Sequence, residues 1–301
     1  MAIAYDATIG NQVESEYIIQ HRIPGVSLEG IYHDLEMNEK AHILGQVIDL
    51  LAEMENIQFP ATGQLAAAGC LPDALIMDRG STSSNASVAI GSFPTRLVHP
   101  PQTGYQPTTL EGAFANQFRF WDAERETPVG EVWVPMFARL SEITTEMKGL
   151  GFFEECSVAP NVLHHWDFEA RNIMVEGGNG LYKVTGLLDW GSVLSVPLVL
   201  ARKPPAWLWI PESEMTRGRG WWDEDADEVE LGPAELRTLF EHKMEKRVGS
   251  KYVEDAFGKG RWIRRVWRFL LHGFFLDEDY ERYGRFVEEW NSYRESEKLA
   301  A

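Results

Sequence analysis

The chain has 301 residues, 44% of them hydrophobic and 12% aromatic, which is enough apolar material for one large domain or two modest ones and rules out global disorder. Its 46 acidic side chains against 28 Lys and Arg leave a formal charge of -18. That field disfavours nucleic acid and anionic membrane as partners and mildly favours cationic small molecules, although an acidic surface alone serves solubility. Only Cys70 and Cys156 are present, so a disulfide framework is not expected, nor a zinc site without His or carboxylate help; a reducing, cytoplasmic setting fits best.

Residues 1–10 lack the basic start and sustained apolar run of a signal peptide. Residues 2–5 and 16–23 read as short strands, the second ending at Pro24-Gly25. A helix is expected over about 38–56, because Ile43, Leu44, Val47, Ile48, Leu51 and Met54 recur at three- and four-residue steps. Residues 60–105, rich in Gly, Ser, Thr and Pro, read as turns and short strands. Thr108 or Thr109 is placed to cap a helix running to about 124, and another helix is expected over 131–149.

From Val162 the pattern changes. Val162–Asp167 leads into Asn172–Val175, a Gly-rich turn at 177–180 and a second apolar run over 181–188, which together predict a β-hairpin with Asp189 at its far end. The apolar stretch Val193–Ala201 is too short to span a bilayer. Beyond it lie a Pro/Trp segment (203–209), an acidic loop (223–230) and two or three helices to about 297. Many of the eleven Trp sit beside Pro, Gly or acidic residues (Trp207, Trp209, Trp221, Trp222), as in packed loops or a lined cleft. The acidic loop reads first as a solvated face, with attraction of an amine-bearing substrate as the sharper alternative.

The chemistry concentrates in His165-Trp166-Asp167, Asn172 and Asp189-Trp190-Gly191. Phosphoryl transfer needs a carboxylate within hydrogen-bond reach of the acceptor hydroxyl, to orient it and take its proton. It also needs an amide oxygen and a second carboxylate to hold a divalent cation, because Mg²⁺ prefers hard oxygen ligands and keeps several waters. Asp167 precedes a strand, Asn172 follows five positions later, and the hairpin returns Asp189 toward both. The bland reading of these residues is a retained scaffold of Asp and Asn bonded to their own turns. Arg171 is expected to pair with Glu169, His164 to face away from His165, and Trp207 and Trp209 to pack in the core.

The run His165-Trp166-Asp167-Phe168-Glu169-Ala170-Arg171-Asn172-Ile173-Met174-Val175 resembles the catalytic loop of the aminoglycoside phosphotransferase and choline kinase family. Gly186-Leu187-Leu188-Asp189-Trp190 resembles that family's metal-binding strand, and residues 197–209 are similar to its fungal members in particular. Ala4-Tyr5-Asp6 and Glu16–Gly25 are similar to the strand and hinge between the family's two lobes, and Gly63-Gln64-Leu65 to a later turn, so the resemblance covers roughly residues 2–210. It implies an α+β fold, a mostly helical kinase-like C-lobe over 26–301 with a catalytic β-hairpin and a remnant of one or two N-terminal strands over 1–25. It implies ATP and Mg²⁺ as cofactors and a small-molecule acceptor. Asp167 would then be the catalytic base, Asn172 and Asp189 the metal ligands, and His165 the brace of the catalytic loop. Gln20, His21 and Ile23 would lie at the adenine edge through their backbones.

Departures from the pattern are equally plain. No Gly-rich phosphate loop precedes the hinge-like segment, the first Lys is Lys40, and Gly191 stands where an acidic residue often follows the metal Asp. A charge clamp on the transferring phosphoryl group is worth on the order of 10²–10³ in rate, so a kinase lacking it is expected to be slow. The alternative expectation is therefore a pseudokinase or repurposed small-molecule-binding protein that no longer uses ATP. An N-terminal face without its covering sheet is further expected to expose apolar surface to a partner or a second copy.

Overall fold

In the computed structural model the described residues are 2–6, 9–15, 17–67, 75–77, 88–91, 108–126, 128–154, 160–178, 181–210 and 234–300. The acidic loop 223–230, Cys70, Cys156, Trp221 and Trp222 lie outside them. The fold is α+β, with helices supplying most of the described residues and all recorded strand pairs antiparallel.

The chain opens with a two-stranded ribbon of β1 (Ala2–Asp6) and β2 (Tyr17–Gln20), which leaves Ile9, Val13 and Ile19 more than half exposed. The strand expected to continue to residue 23 stops at Gln20. Gly25 then turns the chain at φ 103 into β3 (Val26–Ser27), a conformation that a side chain disfavours. Helix α1 (Glu29–Tyr32) is followed by α2 (Met37–Glu55), whose start is fixed by reciprocal bonds between Glu36 and Glu39. The stripe read from the sequence is the buried one: Ile43, Leu44, Val47 and Ile48 are all within 3% of full burial.

Strands β4 (Gln58–Phe59), β5 (Gly63–Ala67), β6 (Leu75–Met77), β7 (Val88–Gly91), β8 (Asn161–His165) and β11 (Val193–Pro197) form one six-stranded sheet in the order β4-β8-β11-β5-β7-β6. Gly63-Gln64-Leu65, expected as a turn, is thus strand, paired with β11 at Leu194↔Gln64 and Ser195↔Gly63. A second sheet takes β9 (Ile173–Gly178) between β10 (Leu181–Leu187) and β3, so the expected hairpin forms and gains a third strand.

Helix α3 (Leu110–Ala123) begins after Thr109, whose hydroxyl accepts from the Gly112 N–H at 3.1 Å. Helix α4 (Pro128–Gly149) starts three residues earlier than expected and runs through Pro135. After the short α5 (Leu198–Ala201) come α6 (Ala234–Val248), α7 (Lys251–Phe257), α8 (Lys259–His272) and α9 (Asp277–Ala300). One core joins α3, α4, α8 and α9 around Phe114, Trp267, Phe274 and Trp290. A second joins α2, α6 and the β9–β10 hairpin around Leu44, Val175, Trp207 and Phe240. The loop between β8 and β9 runs between the two, with Trp166 packed on the first and Phe168 on the second.

Candidate functional site

The loop leaving β8 is a pair of tight turns. The Glu169 N–H donates to the Asp167 carbonyl at 2.9 Å, and the Asn172 N–H donates to the Glu169 carbonyl at 3.0 Å. This coiling brings residues five apart into contact. The Asn172 amide donates to both the carbonyl and the carboxylate Oδ2 of Asp167, each at 2.9 Å. With its nitrogen so engaged, the amide oxygen of Asn172 is directed away from Asp167 as an acceptor.

The other carboxylate oxygen of Asp167 is held by Arg171. The sequence expectation named Glu169 as the partner of Arg171; the recorded ion pair is with Asp167, because the short 3₁₀ turn Ala170–Asn172 carries the guanidinium back over that carboxylate, while Glu169 still lies close enough to feel its charge. The Ser27 hydroxyl donates to the Arg171 carbonyl at 3.1 Å and ties β3 to the same turn.

Asp189 arrives from β10. The Leu188 N–H donates to the Asn172 carbonyl at 2.7 Å, so the two chains are joined one residue before Asp189. Asp189 is exposed and left-handed, at φ 59 and ψ 62, one of two non-glycine residues with positive φ among those described. Asp tolerates this region better than most residues, but it is not relaxed there. His165, 2% exposed, donates from Nε2 to the Leu188 carbonyl at 2.8 Å. It thereby ties down the segment just before Asp189, and the Trp190 ring meets its ring edge-to-face with centroids 4.9 Å apart. Among the recorded bonds His165 makes none to Asp167.

The residues expected at the adenine edge divide. Ile23 packs onto β10 where the strand bulges: a Cβ at Gly186 would stand 2.7 Å from Ile23 Cδ1, so glycine admits it. The Thr185 hydroxyl donates to the Pro24 carbonyl at 2.7 Å. Gln20 and His21 lie at and just beyond the end of the ribbon, both exposed. Lys40, the first lysine, bonds the His33 carbonyl at the start of α2.

A cavity of about 70 Å³ lies along the same loop, and neither Asp167, Asn172 nor Asp189 lines it. Its wall includes His164, His165, Glu169, Lys203, Trp207 and Trp209. The tryptophans are core residues as expected, and also cavity wall; His164, expected to face elsewhere, lines the cavity beside His165. Burial, reinforced by Lys203, His165 and Arg264, holds the His164 imidazole down at about 3 and hence neutral. Burial pushes the Glu169 carboxyl up to about 7, and the nearby charges of Lys203 and Arg171 offset this only in part. The sequence named Glu169 only as the expected partner of Arg171, and Lys203 only as the start of the Pro/Trp segment.

Among the described residues no group of three or more His, Cys, Asp or Glu is arranged to hold a metal, and no helix is long and apolar enough to cross a membrane. Comparison with protein-family models, with curated proteins and with solved structures finds no match.

Proposed function

We propose that the chain is a small-molecule phosphotransferase of the aminoglycoside phosphotransferase type, moving the γ-phosphoryl of ATP to a hydroxyl. The observation that carries this reading is the Asp167–Asn172 contact with Asp189 tethered beside it through Leu188. The donor set fits a divalent cation: the Asn172 amide nitrogen is spent on Asp167, leaving its oxygen, and Asp189 offers an exposed carboxylate. Mg²⁺ bound there would neutralise charge on the nucleotide phosphates.

Asp167 would accept a hydrogen bond from the acceptor hydroxyl on a lone pair left over by Arg171 and Asn172, since a carboxylate offers about four such sites. The hydroxyl oxygen forms its bond to the γ-phosphorus as the β–γ bridging bond breaks. ADP leaves with that electron pair, and the proton passes to Asp167. Arg171 and Asn172 hold the carboxylate in one orientation throughout. His165 fixes the Leu188 carbonyl, and with it the approach of Asp189.

The test is a thermal-shift titration with Mg-ATP followed by turnover assays against a panel of hydroxylated amines. Binding to the native state raises apparent stability with ligand concentration. Asp167→Asn should abolish turnover and spare the fold, and Asp189→Asn should remove the Mg²⁺-dependent part of nucleotide binding. One observation favours the second reading, a kinase-derived binding protein that no longer handles ATP: both carboxylate oxygens of Asp167 are already bonded within the loop. No stabilisation at millimolar Mg-ATP would select it.

A further inference from the structure

The β1–β2 ribbon stands outside the packing that holds the rest of the chain. None of its described side chains belongs to the three clusters of buried apolar residues, and neither strand joins the six-stranded or the three-stranded sheet. Its apolar side chains are turned to solvent: Ile19 on β2 is 51% exposed, and Ile9 and Val13 in the connecting turn are 76% and 65% exposed. Ala4 and Tyr17 are exposed on the same face as Ile19. Two strands alone, with no third strand or helix against them, are marginally stable in water. A ribbon of this kind calls for completion.

Its two edges differ. Strand β1 ends on the charged Asp6 and bulges between Ala2 and Ala4, and both features blunt an edge. Strand β2 (Tyr17–Gln20) carries no charge, proline or bulge, and among the described residues its only recorded backbone pairing is with β1. By contrast the outer edge of β10 is closed by Gln46, whose side chain accepts from the Val184 N–H at 2.8 Å and donates to the Tyr182 carbonyl at 2.9 Å. One edge is sealed by the chain's own side chain, and the other is left open.

We propose that β2 pairs antiparallel with β2 of a second copy of this chain about a twofold axis, joining two ribbons into one sheet. Charge selects the place. Two chains of formal charge -18 repel wherever their acidic surfaces meet, and β2 is an uncharged stretch along which they can touch. Symmetry selects the partner. A twofold contact is isologous, so the strand offered is also the strand required, equally uncharged and equally rich in β-forming residues. A twofold axis through an antiparallel ladder pairs one residue with its own copy, so like faces meet. Tyr17 and Ile19 of both copies then gather into one apolar strip, with Ala4 and Asp6 at its outer margins. A contact of this length belongs with small, reversible interfaces.

The test is sedimentation of the full chain from about 1 to about 200 µM, without nucleotide, so the result is independent of the phosphotransfer reading. The mass is expected to rise toward that of two chains, with a dissociation constant on the order of 10 µM. Raising salt from about 0.05 to about 0.5 M should tighten association severalfold, because screening removes the repulsion between two acidic chains. Ile19→Lys sets like charges beside one another in the paired strip and should weaken association at least about tenfold. Val132→Lys, at a comparably exposed apolar position on α4, should leave it unchanged. Hydrogen exchange on the native chain supplies an arm that needs no variant: the amides of β2 should gain protection across the same concentration range, and those of β9 should not. A single-chain mass throughout, association that salt weakens, an equal loss in both lysine variants, undiminished association by Ile19→Lys, or exchange at β2 that ignores concentration would each overturn the assignment.

Discussion

Two ionisable groups along the cavity should oppose one another as pH falls, and removing either should expose the other. Glu169 has its folded-state carboxyl raised to about 7 from an ordinary 4.5, mainly by burial. Its contribution to stability is fully present below 4.5 and is lost as pH rises through 7. His164 is lowered to about 3 from 6.5, again mainly by burial. Its contribution is fully present above 6.5 and is lost as pH falls toward 3. Between pH 7 and pH 5 the linkage relation gives a gain of about 2 kcal/mol from Glu169 and a loss of about 2 kcal/mol from His164. The two cancel in the native chain. Glu169→Gln should therefore lose about 2 kcal/mol relative to the native chain on going from pH 7 to pH 5, and His164→Gln should gain about as much. Urea unfolding at the two pH values measures this directly, and taking each variant against the native chain removes every other titrating group. Differences that do not change with pH would show that neither group is shifted by its surroundings.

Other consequences are open to the same kind of measurement. Arg202→Met leaves Glu55 and Asp255 without their shared cation in a site where Arg202 is 5% exposed, and should cost about 3–5 kcal/mol in urea unfolding. Gly25→Ala would drive a Cβ to 2.1 Å from the Val175 carbonyl at a left-handed φ; a loss on the order of 3 kcal/mol is expected, with β3 detached from β9 in hydrogen exchange. Asp189→Ala should cost about 1 kcal/mol, because alanine resists the left-handed region, while Asp189→Asn should lie within about 0.5 kcal/mol of the native chain. An unchanged melting temperature for both Asp189 variants would show that the residue is not held in that conformation.

What was legible in the sequence was local. The α2 stripe, the Thr109 cap and the β9–β10 hairpin are each specified within one turn or one pair of neighbouring strands, so period and turn residues suffice to find them. The contact of Asp167 with Asn172 belongs to the same class, since a five-residue loop can close on itself in few ways. The six-stranded sheet was not legible, because β11 pairs on one side with β8, about thirty residues back, and on the other with β5, well over a hundred back. Buried from Leu194 through Pro197, β11 shows no alternation to announce which strands flank it. The bond of Arg171 to Asp167 was not legible for a smaller reason of the same kind: the direction of a side chain depends on the turn that follows, and the 3₁₀ turn Ala170–Asn172 leaves no periodic trace.

The cavity is the extreme case. Its wall is assembled from the last turn of α2, one loop, a proline-rich segment and α7, four stretches spanning some two hundred residues. None of these carries a motif for it. Glu169 becomes notable only once burial has changed what its charge costs, and burial is a property of the folded chain. Residues that act through a fixed local geometry can thus be nominated from sequence. Those that act through the medium around them become visible only when that medium has formed.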